Sequence, residues 1–388
     1  MKKFLYAILM VSALFFAACS SPTSSSGSDS GSGSGEQTNQ SNQGNQTTYP
    51  KLLLKEGTTI NTIIRDLYST ENAVAFLPSK TAPDESATVK YLDLLEEDVS
   101  IWYDNSTKNI YFYAEGVTTE GAREKLKLNE NSGYMFYCCD TLTSIDLSYF
   151  DTSNVKNFSG MFNTCKSLTS LNVSAFDTSN ATSLAFMFSK CEKLSTINVS
   201  KFKTDKCTDM KYMFGFCNSL TSVDVSKFNT SNVTDMQSMF SYCEQLTEVD
   251  VSNFNTSKVT NMYDMFYRCK ELTVIDVSNF DTSNVTDMST MFYENKKVKI
   301  LDLSNFDTSK VTEMSHLFWW CEELTTIYAS DKFVTTLAES DPYSDTFAFN
   351  KKLVGGKGTV FSNEHEGIDY AHIDGGPENP GYFTAKSE

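Results

Sequence analysis

The sequence is poor in histidine, in positive charge and in long apolar runs, and each deficit excludes a class of protein. The 388 residues include only three histidines, His316, His365 and His372, and they form no metal-ligand spacing such as HExxH. The sequence also has no G-x-S-x-G motif, no phosphate-binding glycine loop and no paired nucleophile and base. We therefore expect that the protein is not an enzyme and binds no cofactor.

The charge balance excludes a second class, because 32 lysines and arginines face 49 aspartates and glutamates, giving a formal net charge of −17. Such a chain repels nucleic-acid phosphates, so nucleic acid is not an expected partner. The apolar stretch at residues 4–16 is shorter than the ~20 residues that a membrane-spanning helix requires. A transmembrane anchor is therefore not expected either.

The dominant feature of the sequence is a motif that is repeated eight times between residues 134 and 328, at a constant interval of 26 residues. No copy gains or loses a residue. Such regularity is typical of a solenoid, in which each unit must stack in register on the next to bury its apolar face. The copies are marked by Met135–Phe136, Met161–Phe162, Met187–Phe188, Met213–Phe214, Met239–Phe240, Met265–Phe266, Met291–Phe292 and Leu317–Phe318.

Two hydrophobic periods within one unit predict its secondary structure. Residues 233–246 carry apolar side chains three or four positions apart, which indicates one stripe of a helix. Val249 and Val251 then alternate with polar residues, which is the rhythm of a strand. Short polar residues at 254–258 predict a turn, and the next helix is expected to begin near Thr260.

The spacing of Leu246, Val249 and Val251 is the L-x-x-L-x-L pattern of a leucine-rich repeat. We therefore predict an α/β solenoid of the leucine-rich-repeat type, a right-handed superhelix with one long parallel β-sheet. At ~4.8 Å between strands, eight or nine turns make a sheet about 40 Å long.

These residues resemble the BspA-like leucine-rich-repeat surface lipoproteins of bacteria. The resemblance rests on the string LTSIDLSYFDTSNVKNFSGMFNTCKS and its copies, including LTEVDVSNFNTSKVTNMYDMFYRCKE, and extends to NPGYFTAK at residues 379–386. It covers about two thirds of the chain. The motif is specific, because the 26-residue spacing, the Asp-Thr-Ser-Asn turn and the Met-Phe pair recur together. The resemblance implies an exported, surface-attached repeat protein, and some relatives are regarded as adhesins for host matrix proteins or other bacteria.

The amino terminus has the features of an export signal. A positive start, the apolar stretch and the small residues before Cys19 predict a signal peptide at residues 1–18. The string FFAAC resembles a lipobox, with Phe16 in place of the usual leucine, and it predicts lipidation of Cys19. We therefore expect a protein that is lipid-anchored at the bacterial cell surface, on the outer membrane where the bacterium has two membranes. The alternative is an ordinary secretory signal with a chance cysteine.

The rest of the chain divides by composition. Residues 19–48 hold the lipidated cysteine and a tether of Ser, Gly, Gln, Asn and Thr that cannot bury a core. Residues 49–133 lack the repeat and combine strand-like segments with one short helix, which predicts a small capping module. The solenoid follows at 134–330, and residues 331–388 are expected to form a degraded last repeat and a carboxyl-terminal cap.

Seven cysteines occupy one position of the repeat, on the predicted buried stripe. One copy has Asn295 there instead, and Cys207 stands where other copies have valine. We expect small, buried thiols, because cysteine and small apolar residues exchange in these columns. Disulfides remain the alternative in an exported protein, since equivalent residues of neighbouring copies lie close together. The column comprises Cys139, Cys165, Cys191, Cys217, Cys243, Cys269 and Cys321.

A row of acidic and amide residues is predicted on the open face of the sheet, one per copy. Stacked carboxylates repel by ~1 kcal/mol per neighbouring pair in water, so folding alone does not require them. The row is the candidate binding face for basic partners or calcium, and the alternative is a solvated surface. The serine two positions later is expected to close the turn by a hydrogen bond. The row comprises Asp146, Asn172, Asn198, Asp224, Asp250, Asp276 and Asp302.

Two functions follow from the sequence. The first is a cell-surface adhesin that binds a host matrix protein or another surface protein through the exposed sheet face, with membrane contact through its lipid only. The second is a structural spacer or surface coat that binds nothing tightly, in which case the resemblance describes architecture alone.

Overall fold

The computed structural model describes residues 52–68, 73–93, 98–118, 124–338 and 345–386, which lie within one compact unit, Leu52–Glu388. The predicted signal peptide at 1–18, the lipidation site Cys19 and the tether at 19–48 lie outside the described residues. Within the described ranges, no helix is both long and apolar enough to cross a membrane. In chain order the elements are α1 (Gly57–Tyr68), β1 (Ala75–Pro78), β2 (Lys90–Tyr91), β3 (Val99–Asp104), β4 (Asn109–Ala114), β5 (Leu126–Lys127), β6 (Ser144–Ile145), β7 (Phe150–Asp151), β8 (Thr196–Ile197), β9 (Ser222–Val223), β10 (Ile300–Leu303), β11 (Thr326–Ala329), the short 3₁₀ helix η1 (Ile368–Tyr370) and β12 (Phe383–Ala385).

The residues before the repeats form a helix and a sheet that continues into the first copy. In α1, Ile60, Ile64 and Leu67 lie on one stripe and are buried, as expected for an amphipathic helix. The sheet has the strand order β2-β3-β4-β1-β6, in which β3 and β4 form an antiparallel pair and β1 runs parallel to both β4 and β6. Because β6 belongs to the first copy, this module and the first repeat share one hydrogen-bonded sheet.

The described residues do not form the single long sheet that the sequence predicted for the repeats. Its strands form four separate sheets, and the strand segments of the middle copies are at most two residues long, as in the parallel pair β8–β9. Turns on both sides limit the strands. In one copy, the Leu246 N–H bonds the Cys243 carbonyl at 3.1 Å, and the Asp250 side chain binds the Ser252 N–H at 3.1 Å. Only three residues between these turns are left to pair.

The helix predicted for each copy is wrong, because a run of tight turns stands in its place. At residues 236–243, Met239, Ser241 and Cys243 donate their N–H groups to carbonyls three positions back. The alternate N–H groups leave the copy altogether: Phe240 donates to the Met265 carbonyl of the next copy at 3.0 Å. Consecutive turns of this kind bury every third residue, so they reproduce the spacing that predicted a helix.

A ladder of parallel bridges that the sequence did not indicate runs beside these turns. The ladder joins one residue per copy, the residue directly before a buried side chain of the turn segment. It continues without a gap across the repeats. Each step therefore adds backbone pairing between adjacent copies at a position where a helix was expected to begin. The bridged residues are Asn131, Asn157, Ser183, Asp209, Asp235, Asn261, Asp287 and Glu313.

The core is a column of stacked phenylalanine rings from the Met-Phe pairs. Neighbouring centroids lie 5.6–6.2 Å apart, and the ring planes are within 14° of parallel. At the carboxyl-terminal end, Phe347 stacks on Phe318 at 5.4 Å and Tyr382 packs edge-on against Phe347 at 5.0 Å. The column comprises Phe136, Phe162, Phe188, Phe214, Phe240, Phe266, Phe292 and Phe318.

A buried threonine in each turn links one copy to the next. The Thr230 hydroxyl donates to the Asn255 carbonyl at 2.9 Å and accepts the Asn255 N–H at 2.8 Å, so it satisfies both backbone groups of one residue. The sequence indicated only a turn at this position. The threonines of this column are Thr152, Thr178, Thr204, Thr230, Thr256, Thr282 and Thr308, and all are buried.

We predict that Thr230→Val lowers the free energy of unfolding by roughly 2–3 kcal/mol, because the isosteric valine removes both bonds to Asn255. Thr260→Val is the matched control. The Thr260 hydroxyl also bonds the preceding copy, but the carbonyl it contacts, that of Thr234, still accepts the Thr260 N–H at 3.0 Å. The control should cost less than about 1 kcal/mol. Urea unfolding followed by circular dichroism measures both, and equal losses would contradict the role given to the buried threonine.

Candidate binding faces

The predicted acidic row lies at the surface, as expected for a binding face. Asn172, Asn198, Asp224, Asp250 and Asp276 are exposed. The two end members, Asp146 and Asp302, are half-buried, and Lys386 forms an ion pair with Asp302. The structure therefore presents one carboxylate or amide oxygen per copy along the strand segments.

Each member of the row also closes the turn that follows its strand. The side-chain oxygen accepts the backbone N–H of the residue two positions later, always a serine, at 2.9–3.1 Å. In five copies the serine hydroxyl donates to the same oxygen at 2.6–2.7 Å. The hydrogen bonds from the Ser226 hydroxyl and N–H lower the pKa of Asp224, and Ser252 does the same for Asp250. The row therefore has a structural role as well as an exposed position.

In one copy, the residues 247–253 lie on the exposed side of the strand segment, except for the buried Val249 and Val251. We call these exposed residues and their equivalents in the other copies the sheet face. Its charge changes along the stack. Residues 169–175, 195–201 and 221–227 carry Lys201, Lys227 and Asp224, a net charge of +1. The next three copies, residues 247–253, 273–279 and 299–305, have a net charge of −3. Their charged residues are Glu248, Asp250, Asp276, Asp302 and Lys299.

Two of these three copies carry an exposed apolar side chain on this face, and the third has Glu248 at the same position. Val274 is 67% exposed and Ile300 is 52% exposed, and they occupy equivalent positions of adjacent copies. Earlier copies have Ser170, Thr196 and Ser222 there. We call residues 247–253, 273–279 and 299–305, again without their buried strand positions, the acidic–apolar half-face.

Two columns of left-handed backbone, which the sequence did not indicate, run along the turn side of the repeats. Residues at these positions have φ between 53° and 68° although most are not glycine. Left-handed backbone costs a non-glycine residue ~1 kcal/mol or more, so the inter-copy hydrogen bonds must hold it in place. The first column is Tyr134, Gly160, Phe186, Tyr212, Ser238, Asp264, Thr290 and His316, and the second is Cys138, Thr164, Lys190, Phe216, Tyr242, Arg268, Glu294, Trp320 and Phe349.

Aromatic side chains from the second column and its neighbours form a continuous stack. Tyr242, Tyr267, Tyr293 and Trp319 follow one another with centroids 5.1, 4.6 and 4.5 Å apart. The Arg268 guanidinium lies 5.0 Å from the centroid of Tyr242. The rings from Tyr267 to Trp319 stack face to face, whereas Tyr242 and Tyr267 are tilted by 45°, and these contacts stabilise the packing of adjacent copies.

The cysteine column is buried, as the sequence predicts, and its thiols have hydrogen-bond partners. From Cys165 onward each donates to the carbonyl of the phenylalanine in the preceding copy, for example Cys217 to Phe188 at 3.1 Å. Burial raises the pKa of Cys217 to about 12. Across the ranges that the structure describes, no group of three or more His, Cys, Asp or Glu could hold a metal ion. The free thiols are Cys139, Cys165, Cys191, Cys207, Cys217, Cys243, Cys269 and Cys321.

Two asparagines stand in for cysteine in this column. Asn295 Nδ2 donates to the Phe266 carbonyl at 2.9 Å, which reproduces the thiol's bond, but its buried Oδ1 has no donor among the described residues. Asn350 Nδ2 donates to the Phe318 carbonyl at 2.8 Å, and its Oδ1 accepts the Cys321 N–H at 2.8 Å. The first amide leaves one polar atom unsatisfied, whereas the second satisfies both.

We predict that Asn295→Cys raises the free energy of unfolding by roughly 1–2 kcal/mol, because a thiol keeps the bond to Phe266 and removes the unsatisfied oxygen. Asn350→Cys is the matched comparison and should lower it by roughly 1–3 kcal/mol, since the Cys321 N–H loses its acceptor. Denaturant titration under reducing conditions measures both variants. The explanation fails if the two substitutions shift stability in the same direction.

One carboxyl group of the first left-handed column is perturbed. Burial raises the pKa of Asp264 to about 7, against the hydrogen bond that the Thr290 hydroxyl donates to it, and the nearby Asp287 carboxylate raises it further. The folded state therefore holds a proton that the unfolded chain releases above about pH 4.

We predict that this group makes the folded protein less stable as the pH rises from about 4 to 7, because the folded state binds more protons over that range. Asp264→Asn should remove this loss and raise the melting temperature most at pH 7 and above. Asp224→Asn is the control, because its pKa is lowered and it should give no gain there. Melting curves between pH 5 and 8 test this, and a parallel fall in wild type and Asp264→Asn would contradict it.

Comparison with known proteins places the repeats in a family. A solved leucine-rich repeat protein from Bacteroides ovatus ATCC 8483 is similar to the chain at 16% identity, with a TM-score of 0.28, covering 71% of this chain and 82% of that one. No curated protein matches the chain. The family model described as "Mycoplasma protein of unknown function, DUF285" matches residues 130–249, 198–275 and 243–355, which together span more than half of the 388 residues. The chain belongs to this DUF285 family of repeat proteins.

Proposed function

We propose that the protein is a BspA-like cell-surface lipoprotein that binds an extracellular or surface protein through the exposed sheet face. The repeats would form a right-handed leucine-rich-repeat solenoid, carried on the tether and anchored to the membrane by the lipid on Cys19. Cell-surface location and protein binding follow from the resemblance of the sequence to that group.

The observation that carries the proposal is the hydrogen-bonded exposed row. Each of its oxygens is held by the N–H of a serine two residues later, for example Asp250 by Ser252 at 3.1 Å. The row is therefore ordered before any partner arrives. A preordered polar surface loses little conformational entropy on binding, so more of the contact energy is available as affinity.

The second candidate is a spacer or surface coat without a tight ligand. It is favoured by the turn-closing role of the row, because a side chain needed for every turn recurs whether or not a partner exists. The asparagines Asn172 and Asn198 close the turn as the aspartates do, at 3.0 and 3.1 Å. Recurrence of the row alone therefore does not decide between the two functions.

The deciding experiment is binding of the lipid-free protein to an array of extracellular-matrix and bacterial surface proteins. We expect at least one to be retained at micromolar concentration, and the triple variant Asp224→Asn, Asp250→Asn, Asp276→Asn to bind it about tenfold more weakly, equal to ~1.4 kcal/mol. The substitution keeps every turn, since Asn occupies the same position in other copies.

The control removes the same charge elsewhere. Asp177, Asp281 and Asp307 close a different turn in each copy, where Asn229 and Asn255 occur naturally. Asp177→Asn, Asp281→Asn, Asp307→Asn should leave binding unchanged. If nothing is retained, the spacer function is supported; if both triple variants weaken binding equally, the effect is one of net charge and the sheet face is not the site.

A further inference from the structure

We propose that the acidic–apolar half-face is the docking surface for an extended, basic segment of a partner protein, one whose apolar side chains cover Val274 and Ile300 while its lysines or arginines reach the carboxylates beside them. This inference rests on the proposed function and specifies the partner's chemistry and the copies that bind it.

The first argument is that apolar side chains are concentrated on one part of an otherwise polar face. Val274 and Ile300 are 67% and 52% exposed, and they occupy equivalent positions of adjacent copies, which the ladder of parallel bridges holds in register. Serine or threonine fills this position in the three preceding copies, which share the same backbone turns. The fold therefore tolerates a polar residue at this position. Folding does not require valine or isoleucine there, because serine occupies the same place in other copies.

The second argument is charge complementarity. The three copies of the half-face have a net charge of −3, or −2 with Lys386, which pairs with Asp302, whereas the three copies before them have +1. The carboxylate of Asp276 is two residues from Val274 along the chain, ~7 Å away on the same face, which is within the length of a lysine side chain. The hydrogen bonds from Ser252 lower the pKa of Asp250 overall, but the charge of Asp224 in the preceding copy raises that pKa, so neighbouring carboxylates interact and attract a cationic segment jointly. Nucleic acid and anionic lipid would be repelled.

The third argument is a contact of this kind within the chain itself. Strand β12 is an extended segment that pairs in parallel with β11, and Lys386, immediately after it, forms an ion pair with Asp302 at the end of the row. The last carboxylate of the row therefore pairs with a lysine that follows another strand of the same sheet. Asp250 and Asp276 offer the same carboxylate, fixed by the same turn, in the two preceding copies.

The test uses the full chain and a fluorescent peptide of about eight residues with the repeat Val-Ser-Lys-Ser, which spans ~26 Å when extended and projects its valines and lysines from the same side. We expect fluorescence anisotropy to show saturable binding that weakens as salt is raised. Val274→Ser with Ile300→Ser, and Asp250→Asn with Asp276→Asn, should each weaken it about tenfold or more, a loss of ~1.4 kcal/mol or more. These substitutions install residues that other copies carry, and Lys201→Asn with Lys227→Asn is the control expected to bind as wild type.

A gain-of-site variant complements these losses. Ser170→Val, Asn172→Asp, Thr196→Ile and Asn198→Asp rebuild the half-face on two earlier copies, and the stoichiometry of peptide binding should rise from one to two. Two control peptides, one with glutamate in place of lysine and one with serine in place of valine, should bind more weakly than the first peptide.

The outcomes separate the inference from the proposed function. The inference is overturned if the peptide does not bind, or if wild type and both pairs of variants bind it equally. That holds even if the triple aspartate variant loses its binding to a protein on the array. Peptide binding that depends on Val274 and Asp276, together with an array that retains nothing, supports the inference and contradicts the proposed adhesin function.

Discussion

Backbone hydrogen bonds between adjacent copies are the constraint on which this structure depends. In the turn segment, alternate N–H groups find their acceptor only in the next copy, as Phe240 does in Met265 at 3.0 Å. A copy of different length would leave these buried groups unpaired, at a cost of ~1–3 kcal/mol each. The constant interval of 26 residues is therefore required by the backbone, and the Phe column and the buried threonines follow from it.

The same constraint separates positions that hold the stack from positions that can vary. The phenylalanine of the Met-Phe pair and the buried threonine recur because each contacts the next copy: Phe240 stacks on Phe266, and Thr230 bonds the backbone of Asn255. On the sheet face, by contrast, Ser222 in one copy is followed by Glu248, Val274 and Ile300 in the next three. The same turn follows each of these strand segments, closed by Asp224, Asp250, Asp276 or Asp302, so the side chains at this position can serve recognition without changing that turn.

The sequence predicted which side chains are buried better than it predicted their backbone. Burial of Met239, Phe240, Cys243 and Leu246 follows from their spacing, and the structure confirms it. The helix was wrong because consecutive turns bury every third residue, as one face of a helix does, and because left-handed residues such as Tyr242 have no sequence signal comparable to glycine. The exposed acidic row was also predicted, but its hydrogen bonds to the serines' own N–H groups were not.

Those hydrogen bonds explain how charge on the sheet face can change from copy to copy at little cost to stability. Aspartate and asparagine offer the same oxygen to the serine N–H, at 3.1 Å from Asp250 and 3.0 Å from Asn172, so either residue closes the turn. Only the charge differs, and with it the repulsion of ~1 kcal/mol between neighbouring carboxylates in water. Folding would favour asparagine in every copy. The run of four adjacent aspartates, Asp224, Asp250, Asp276 and Asp302, is therefore a departure that a basic partner would compensate.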